Sequence, residues 1–377
     1  MSTFRVNLTK IEEINPHPNA ERLEIATLYG YNVVVGKDQY KKGDNVLYVP
    51  VGAILSEQLD ALLFPADAKV KLHNRRIKAI KLRGFVSQGF IIDPKMHLGT
   101  SDNLEDLLEQ DFAEVLGITK YTEPVKALPG LMQTNPMKNI LKNPNFKEYT
   151  DVEHGKYYDR QVMVTGEDVI VTQKLHGTSA RYGWFRRPVR NWWDKALSYF
   201  NIMPEWEFCW GSRRCQINSK PGKSHDGFKN EAQGVDFGDV YTKIKVQEKL
   251  MKIPKGYAVY GEIVGWGIQK GYLYHCGMNQ HKFYVYDVQK DGKYLNYDDA
   301  VKLCNEWGLT HVPLVYRGPY IMDEINKQLD NNTISLEPNE GVVVKPVQDR
   351  HSPVMGRVVL KYINPEYLLL KDGTEFQ

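Results

Sequence analysis

Short apolar stretches separated by glycine turns dominate the first third of the chain. They cover residues 26–31, 32–36, 45–51, 77–82 and 89–92. This spacing predicts a small β-barrel or β-sandwich. Residues 101–116 follow a different period, because Ser101 or Asp102 can cap a helix and apolar side chains recur at positions 104, 107, 108, 112 and 116. The pattern predicts a helix over 101–116 that ends at Gly117.

A stretch rich in Pro and Asn, residues 121–149, interrupts the patterned sequence and predicts a linker or an extended wrap. The pattern beyond it is mixed. It predicts strands at 169–173, 257–264, 283–288, 341–345 and 357–362, and helices at 297–307 and 320–330. We therefore expect an α+β protein with three parts: a β-barrel domain (1–120), a linker (121–150) and a larger domain (151–377).

The composition excludes several classes of protein. The 377 residues are 42% hydrophobic and 25% charged, which is close to the globular average. The chain lacks an 18-residue apolar run and a signal-peptide core, so we expect a cytoplasmic protein with no membrane contact. None of the four cysteines forms a C-x-x-C pair, which disfavours zinc fingers and thioredoxin chemistry.

The net charge of +3 is small, but its distribution is uneven. Residues 69–83 hold seven Lys or Arg and no acid, whereas residues 1–116 as a whole hold 14 basic and 16 acidic residues. Such a basic stretch would attract a phosphate backbone. It would equally suit a solvated edge strand whose lysines discourage aggregation. Both interpretations stay open on the pattern alone.

The tetrapeptide Lys174-Leu175-His176-Gly177 is the sharpest candidate for chemistry. A lysine at the end of an apolar strand can serve as a nucleophile once it is desolvated or crowded by cations. Taken alone, K-x-x-G is more often a surface turn. Its companions further along the chain make chance less plausible: Ser212-Arg213, Gly261-Glu262, Glu340 through Lys345, and Lys361.

The order of these motifs resembles the covalent nucleotidyltransferase superfamily of ATP-dependent DNA and RNA ligases and mRNA capping enzymes. Lys174 through Gly177 resembles the K-x-[DHN]-G motif of the nucleophile, with the histidine found in a group of RNA ligases. The resemblance implies a domain built on antiparallel sheets, ATP-grasp-like in style. The chain departs from the family twice, because Val359 stands where the last motif has a lysine and Ser179 where these enzymes have Arg or Asn.

The N-terminal third carries a second resemblance. Residues 15–23 (NPHPNAERL) and 82–89 (LRGFVSQG) resemble two segments of the tRNA-binding OB-folds. An OB-like module before a K-x-H-G domain is similar to the Deinococcus-type RNA ligases. Only 16 residues follow Lys361, which disfavours the C-terminal OB domain of DNA ligases and capping enzymes. The basic stretch is then expected to contact nucleic acid through Lys69, Lys71, Arg75, Arg76, Lys78 and Arg83.

The resemblance implies an ATP-dependent RNA ligase that joins 3′-OH and 5′-phosphate ends through lysyl-AMP. Its substrate would be RNA or an RNA-containing nicked duplex, with no protein partner and with Mg²⁺ or Mn²⁺ held at Glu340. The resemblance assigns catalysis to Lys174, Lys345, Lys361 and Arg213, and nucleotide binding to Gln173, His176, Gly177, Glu262, Tyr286 and Glu340. Two alternatives remain: a non-catalytic RNA-binding protein with a degenerate domain, and a GTP-using capping-type enzyme.

An insertion at residues 181–195 combines five basic residues with three tryptophans. Basic residues interleaved with aromatics can follow phosphates and stack on bases. We expect the tryptophans to pack on the core, and leave open whether the arginines contact nucleic acid.

Overall fold

The computed structural model describes most of the chain. It leaves out residues 1–2, 69–70, 96–103, 122–142, 201, 214–215, 218–228, 231–234, 237–239, 270, 332 and 371–377. The described part divides into two compact units. Unit 1 comprises Met1–Pro129, Asp151–Gln161 and Leu360–Gln377, and unit 2 comprises Gly130–Thr150 and Val162–Val359.

The strands of the described residues are β1 (Asn7–Lys10), β2 (Glu13–Pro16), β3 (Leu23–Leu28), β4 (Tyr31–Gly36), β5 (Asn45–Val49), β6 (Ala53–Ile54), β7 (Ile80–Leu82), β8 (Phe85–Ser87), β9 (Phe90–Ile92), β10 (Thr119–Lys120), β11 (Glu153–His154), β12 (Asp168–Lys174), β13 (Thr178–Arg186), β14 (Trp206–Ser212), β15 (Gln216–Ile217), β16 (Lys229–Asn230), β17 (Val235–Asp236), β18 (Tyr257–Gly265), β19 (His281–Lys290), β20 (Lys293–Tyr294), β21 (Thr310–His311), β22 (Leu314–Pro319), β23 (Gly341–Pro346), β24 (His351–Ser352), β25 (Gly356–Arg357) and β26 (Leu360–Ile363). The α-helices are α1 (Glu57–Leu63), α2 (Gly155–Val162), α3 (Trp192–Tyr199), α4 (Val240–Lys243), α5 (Val246–Leu250), α6 (Tyr297–Glu306), α7 (Met322–Lys327) and α8 (Pro365–Leu368).

Unit 1 is built from short antiparallel sheets with the orders β1-β5-β9 and β2-β3-β4, together with the pairs β7-β8 and β6-β10. Strand β4 alternates buried and half-buried residues along its whole length, as a strand with one face on a core does. Two apolar clusters fill the unit, one around Leu8, Leu47 and Val49 and the other around Leu28 and Tyr31. The predicted β-rich N-terminal part is therefore confirmed.

The predicted helix over 101–116 is wrong. Its residues 101–103 lie outside the described residues, and only a 3-10 turn, Leu104–Leu107, follows. Beyond that turn the chain pairs with β1, because the amide of Glu109 donates to the carbonyl of Leu8 and that of Phe112 to the carbonyl of Val6. Residues 113–117 form a turn, and the apolar side chains of Phe112, Ala113 and Leu116 pack on the barrel core. Tertiary pairing thus overrides the helical period.

Unit 2 is organised around two antiparallel arrangements of strands. In the first, β12 lies between β22 and β23. In the second, the order β15-β14-β13-β18-β19-β20 is extended by β21, which pairs with β19 in parallel. The inner faces of β13, β18 and β19 contribute Tyr182, Val259 and Val285 to an apolar cluster on which α5 and α6 pack. The antiparallel character expected of this domain is confirmed.

Most predicted strands of unit 2 lie where the apolar runs place them, whereas two elements differ. The predicted strand at 357–362 is divided into β25 and β26, with residues 358–359 between them. The predicted helix at 320–330 is shorter and spans Met322–Lys327. Among the described residues, no helix has the length and hydropathy that crossing a membrane requires.

Candidate active site

Lys174 is the last residue of β12, and its ammonium meets a buried carboxylate from the neighbouring strand. The register pairs Lys174 with Gly341, the first residue of β23. Glu340 immediately precedes that strand, and Nζ of Lys174 lies 2.6 Å from its Oε1. The lysine side chain is 18% exposed and that of Glu340 1%, so the pair forms the floor of an accessible site.

Gly177 brings Glu262 close to this pair. A Cβ at position 177 would lie 2.4 Å from the carbonyl oxygen of Ile263 and 2.8 Å from Cγ of Glu262, so only glycine fits against β18. The carbonyl of Gly177 accepts a hydrogen bond from Gln269, which fixes the turn. Strand β13 begins at the next residue and pairs Ser179 with Glu262. The K-x-x-G spacing therefore sets Glu262 beside the nucleophile's strand end.

The carboxyl of Glu262 has an unusual electrostatic environment. Part of its surface stays accessible, but protein atoms surround the carboxyl, and this burial raises its pKa from 4.5 to about 8. The Lys174 ammonium opposes the shift and the Glu340 carboxylate adds to it. The Lys174 ammonium, which is paired with Glu340, thus also acts electrostatically on Glu262. Two nearby carboxyl groups in different surroundings can have different pKa values and so different roles.

Two tyrosines that the sequence analysis missed form a wall around His176. The backbone N–H of His176 donates to the hydroxyl of Tyr274 over 2.7 Å, and its ring packs edge-to-face on Tyr272 at 4.8 Å. The hydroxyl of Tyr272 donates to the carbonyl of Pro338, two residues before Glu340. Nδ1 of His176 is 3.9 Å from Oε2 of Glu340. The aromatic run within residues 271–276 was the available signal, but a loop sequence does not reveal its partners.

Tyr286 lies at a bulge in β19, where the register with β18 shifts between Tyr260 and Gly261. Its hydroxyl is 2.9 Å from that of Ser179, and its ring contacts Tyr149 edge-to-face at 4.8 Å. Burial raises the pKa of Tyr286 well above its usual range, so the phenol stays neutral. A bulge turns a side chain away from the regular alternation, which is how Tyr286 meets Ser179 across the sheet.

Lys345 belongs to a buried ion cluster beside Tyr286. Its Nζ lies 2.8 Å from Asp287 and 3.1 Å from the carbonyl of Tyr286, and Arg357 donates to the other oxygen of Asp287 at 2.8 Å. Burial alone would raise the pKa of Asp287, but the Lys345 and Arg357 charges outweigh it and hold the pKa well below its usual range. In register, Lys345 faces Ile170, four residues before Lys174.

The remaining predicted residues have distinct surroundings. The side-chain oxygen of Gln173 accepts hydrogen bonds from the N–H and hydroxyl of Thr333, which fixes the strand end beside Lys174. Nε of Arg213, just past β14, is 4.0 Å from the carboxylate of Glu148. Arg213 is half-buried and so can meet a ligand.

Lys361 belongs to unit 1, whereas Lys174 belongs to unit 2. It lies in β26, which pairs in parallel with β11 so that Lys361 is opposite His154. Its side chain is buried. Burial, reinforced by the charges of Lys156 and Lys361, holds the pKa of His154 well below 6.5. The imidazole is therefore neutral at pH 7 and compatible with a lysine beside it.

One carboxylate of the site can accept a divalent ion. Oε2 of Glu340 is buried and has no hydrogen-bond partner, although Oε1 meets Lys174. An orphaned carboxylate oxygen suits Mg²⁺, which is usually bound through one or two carboxylates together with substrate phosphates. The described residues hold no cluster of three or more His, Cys, Asp or Glu side chains that would bind a metal unaided. The donor set therefore fits an ion whose other ligands come from substrate and water.

The two OB-like segments of unit 1 are bonded to each other. Nε2 of His17 lies 3.2 Å from the carbonyl of Leu82, and the side chain of Asn19 donates to the carbonyl of Arg83. His17 is buried and its ring packs on Phe85. These contacts give His17 a structural role and fix the loop that carries Arg83.

The basic stretch is only partly exposed. Lys71 and Arg83 are exposed, and Lys78 is half-buried. Arg75 lies 3.5 Å from Glu57, whereas Arg76 is buried with its guanidinium 3.7 Å from the ring centre of Tyr121. Lys69 lies outside the described residues. Among the described residues that are expected to contact nucleic acid, Lys71 and Arg83 are thus the most accessible.

The insertion reverses the expectation for two of its tryptophans. Trp192 and Trp193 open α3, are 64% and 62% exposed, and stack on each other at 3.7 Å. Only Trp184 packs toward the core as predicted. Three of its four arginines are paired with acids, since Arg186 contacts Glu205, Arg187 contacts Asp194 and Arg190 contacts Glu207. Asp194 is the one buried residue of helix α3, so the helix lies on the surface and leaves both indoles exposed.

Comparisons with known proteins show the family of the chain. A family model described as RNA ligase matches residues 167–363, more than half of the chain, and a model described as an OB-fold domain matches residues 5–94. Among curated proteins, 111 residues are 32% identical to the phenylalanine–tRNA ligase β subunit of Prochlorococcus marinus. That match covers 28% of this chain, which spans 12% of the length of the curated relative.

Solved structures of Naegleria gruberi RNA ligase are similar over nearly the whole chain. A mutant in the apo form is 22% identical with a TM-score of 0.67, covering 98% of each chain. A mutant with ATP and Mn is also 22% identical, with a TM-score of 0.66 and coverage of 97% and 98%. At this identity the likeness shows the fold, and it confirms the α+β class. Because the RNA ligase model spans more than half of its residues, the chain belongs to the RNA ligase family.

Proposed function

We propose that the protein is an ATP-dependent RNA ligase that joins 3′-OH and 5′-phosphate ends through lysyl-AMP and adenylylated RNA. The observation that carries this proposal is the pairing of Lys174 with buried Glu340 at the ends of two adjacent strands, with Glu262 and His176 beside them. The Naegleria ligase solved with ATP and Mn supports the same nucleotide and a divalent ion here.

The reaction has three steps. Nζ of Lys174 attacks the α-phosphorus of ATP, so that an N–P bond forms, the bond to the leaving pyrophosphate breaks and the amine loses its proton. A 5′-phosphate oxygen then attacks the same phosphorus and regenerates the lysine. Finally a 3′-OH attacks the activated 5′-phosphate and expels AMP. An ammonium has no lone pair, so Lys174 must lose a proton and leave Glu340 before the first step.

The surrounding residues position the nucleotide. Glu262 accepts hydrogen bonds from the ribose, Tyr286 stacks on the adenine, and His176, held by Tyr272 and Tyr274, shapes the pocket. Gln173 and Gly177 fix the two ends of the nucleophile's turn. Arg213 offers a guanidinium to phosphate oxygens. The resemblance assigns Lys345 to catalysis, but its Nζ donates to the carbonyl of Tyr286 and to Asp287, so in this proposal it is a positioning residue.

Glu340 is the residue that would hold Mg²⁺ or Mn²⁺, through the oxygen that has no other partner. When bound, the ion neutralises charge on the phosphate oxygens as it develops. The resemblance also assigns Lys361 a catalytic role, and Lys361→Ala in the labelling assay tests it. The exposed cations of the basic stretch hold the RNA, whose substrate form is a broken strand or an RNA-containing nick.

Covalent labelling tests the proposal directly. Wild-type protein incubated with α-labelled ATP and Mg²⁺ should retain the label after denaturation, because the N–P bond survives unfolding. Lys174→Ala should lose the label completely. Lys302→Ala, which changes an exposed lysine on α6, is the matched control and should label like the wild type.

A folded wild-type protein that never labels with any nucleotide would contradict the proposal and favour a non-catalytic RNA-binding protein. Labelling with GTP in preference to ATP would instead indicate a capping-type enzyme. If ATP labels, a panel of nicked duplexes with RNA or DNA on each side of the nick identifies the substrate, and we expect sealing to require RNA on at least one side.

A further inference from the structure

Arg181 is a buried arginine, and two of its three guanidinium nitrogens have no hydrogen-bond partner among the described residues. Its side chain is 4% exposed, and neither Nε nor Nη1 has a partner in the part of the chain that the structure describes. The neighbouring arginines of the insertion differ, since Arg186, Arg187 and Arg190 each pair with a carboxylate. Arg181 is therefore not a further member of that paired set.

The contact that Arg181 does make is an aromatic one. Its guanidinium carbon lies 3.8 Å from the ring centre of Phe146. Such a contact stabilises the protein by less than a buried charge without a paired anion costs. Burial accordingly lowers the pKa of Arg181, and Tyr260 and Glu148 only partly oppose it. A side chain held at such a cost is better explained by an anionic ligand than by folding alone.

The face on which Arg181 lies is that of the active site. Its neighbours Ala180 and Tyr182 point into the apolar core, so Arg181 shares the opposite face with Ser179. In register, Ser179 is opposite Glu262, and Arg181 is opposite Tyr260 on one side and Gly211 on the other. Gly211 has no side chain to fill the space beside the guanidinium. Arg181 is thus one step along the strand face from the candidate nucleotide site.

Residues 143–150, which we call the cover segment, bring an acid to this face. Phe146 lies over Arg181, and the Glu148 carboxylate is 4.0 Å from Nε of Arg213. The segment is anchored on both sides of Glu148, by the side chain of Asn143 on Glu207 and by the hydroxyl of Tyr149 on Asp287. The Glu148 side chain itself is 55% exposed. Glu148 thus brings a negative charge to Arg213, and the same charge acts on Arg181.

We propose that Arg181 and Arg213 together bind a phosphate oxyanion, and that the Glu148 carboxylate occupies this position until the phosphate replaces it. Guanidinium groups suit phosphate because their N–H donors match its oxygens in pairs. The inference rests on the proposed function for its two sources of ligand, which are the triphosphate tail of ATP and the 5′-phosphate of the RNA. Arg181 would then supply the cation that Ser179, two residues earlier, does not.

The first experiment uses an exposed residue, so that folding is not at risk. Glu148→Gln removes the competing charge and should tighten the binding of inorganic pyrophosphate by about threefold to tenfold, measured by calorimetry on the full chain. The matched control is Glu205→Gln, which changes an exposed glutamate paired with Arg186 in the same unit and should leave the affinity unchanged. Equal affinities for wild type and Glu148→Gln would overturn the role given to Glu148.

The second experiment separates the two sources of phosphate. Arg181→Met keeps an unbranched stem of four atoms and removes the charged end of the side chain. Arg186→Met on the same strand is the control, and circular dichroism checks folding. A loss of at least tenfold in pyrophosphate affinity assigns Arg181 to the ATP tail. A similar loss in single-turnover transfer of AMP from labelled enzyme to 5′-phosphorylated RNA, at unchanged pyrophosphate affinity, assigns it to the RNA end. Wild-type values for both would overturn the site.

These outcomes are distinct from those of the labelling test. Pyrophosphate binding requires no catalysis, so an Arg181-dependent affinity in a protein that never labels would refute the ligase and leave the anion site standing. Conversely, a protein that labels normally but whose pyrophosphate affinity and AMP transfer ignore both substitutions would refute the anion site alone. If Arg181→Met does not fold, the Glu148→Gln result decides.

Discussion

Folding and ligand binding favour different protonation states of Glu262. Hydrogen bonding to a ribose favours the carboxylate, but the surroundings of Glu262 raise its pKa to about 8, chiefly by burial. In the free protein at pH 7 the acid form therefore predominates. A ligand that prefers the ionised carboxylate must shift this equilibrium, so nucleotide binding and proton release at Glu262 are linked.

Glu262→Gln makes this linkage measurable as stability. The folded protein keeps the proton up to about pH 8, whereas the unfolded chain releases it above about pH 4.5. Between these values the unfolded state binds fewer protons, so the wild type loses stability as pH rises, by at most ~1.4 kcal/mol per pH unit. The free energy of unfolding of Glu262→Gln, measured by urea denaturation from pH 4 to 9, should gain on the wild type across this window.

The control is Glu248→Gln, at an exposed glutamate of unit 2, whose difference from wild type should stay level from pH 5 to 8. A Glu262→Gln difference that is equally level over this range would mean that the carboxyl is already ionised at neutral pH. The raised pKa of Glu262 must also be a property of the folded state. In about 8 M urea, where typical domains are unfolded, the Glu262 carboxyl should therefore titrate at the pKa of an ordinary glutamate.

At the scale of elements, the sequence predicted the strands that consist of a short apolar run and are buried in the fold. Strands β12 and β23 lie where continuous Val and Ile runs predict them, and β18 lies at a mixed apolar run. Lys174 follows the run of β12 and Glu340 precedes the run of β23. Their proximity follows from antiparallel pairing and the motif order together. The strands were predictable from local pattern, whereas the candidate site residues came from the order of the motifs and the family resemblance that it carries.

The residues that were missed depend on tertiary contacts. Tyr272 and Tyr274 come from a loop between β18 and β19, and only the folded chain brings them to His176. The failed helix at 101–116 has the same origin, because residues 109–112 pair with β1 through backbone groups that any sequence possesses. The hydrophobic period of a sequence shows which side chains can face a core. It does not show which backbone segments form hydrogen bonds with each other.

The spacing between β12 and β18 is itself set by one glycine, and Gly177→Ala tests this element-level constraint. The added methyl would meet the carbonyl oxygen of Ile263 at 2.4 Å, so β18 must move and Glu262 with it. Because catalysis depends on sub-ångström positioning, the rate of lysyl-AMP formation should fall at least tenfold, on the order of the effects known for misplaced groups. The measurement is single-turnover labelling with α-labelled ATP.

Gly277→Ala is the control for this change, because a methyl there meets only the end of the flexible Gln280 side chain, at 3.2 Å. It should label at the wild-type rate. If Gly177→Ala also labels at that rate while remaining folded, the close approach of β18 is not what positions the site, and the glycine serves only the folding of the turn.

At the scale of the whole molecule, a net charge of +3 describes neither unit. In unit 2 many charged side chains form ion pairs with each other, such as Lys345 with Asp287 and Arg190 with Glu207. In unit 1, Lys81 pairs with Glu366, while Lys71 and Arg83 stay exposed. The attraction of a polyanion such as RNA therefore depends on which Lys and Arg side chains are exposed. The net charge of the chain does not show this.

The salt dependence of RNA binding measures these exposed cations. Each phosphate contact contributes about 0.7–0.9 to the slope of log K against log salt, so Lys71→Gln with Arg83→Gln should lower the slope by about 1.5. The matched control is Lys37→Gln with Lys42→Gln, two exposed lysines of unit 1 outside the basic stretch, which should leave the slope unchanged. Labelling by ATP should be normal in both variants. Equal slopes for the two double variants would show that RNA contacts another surface.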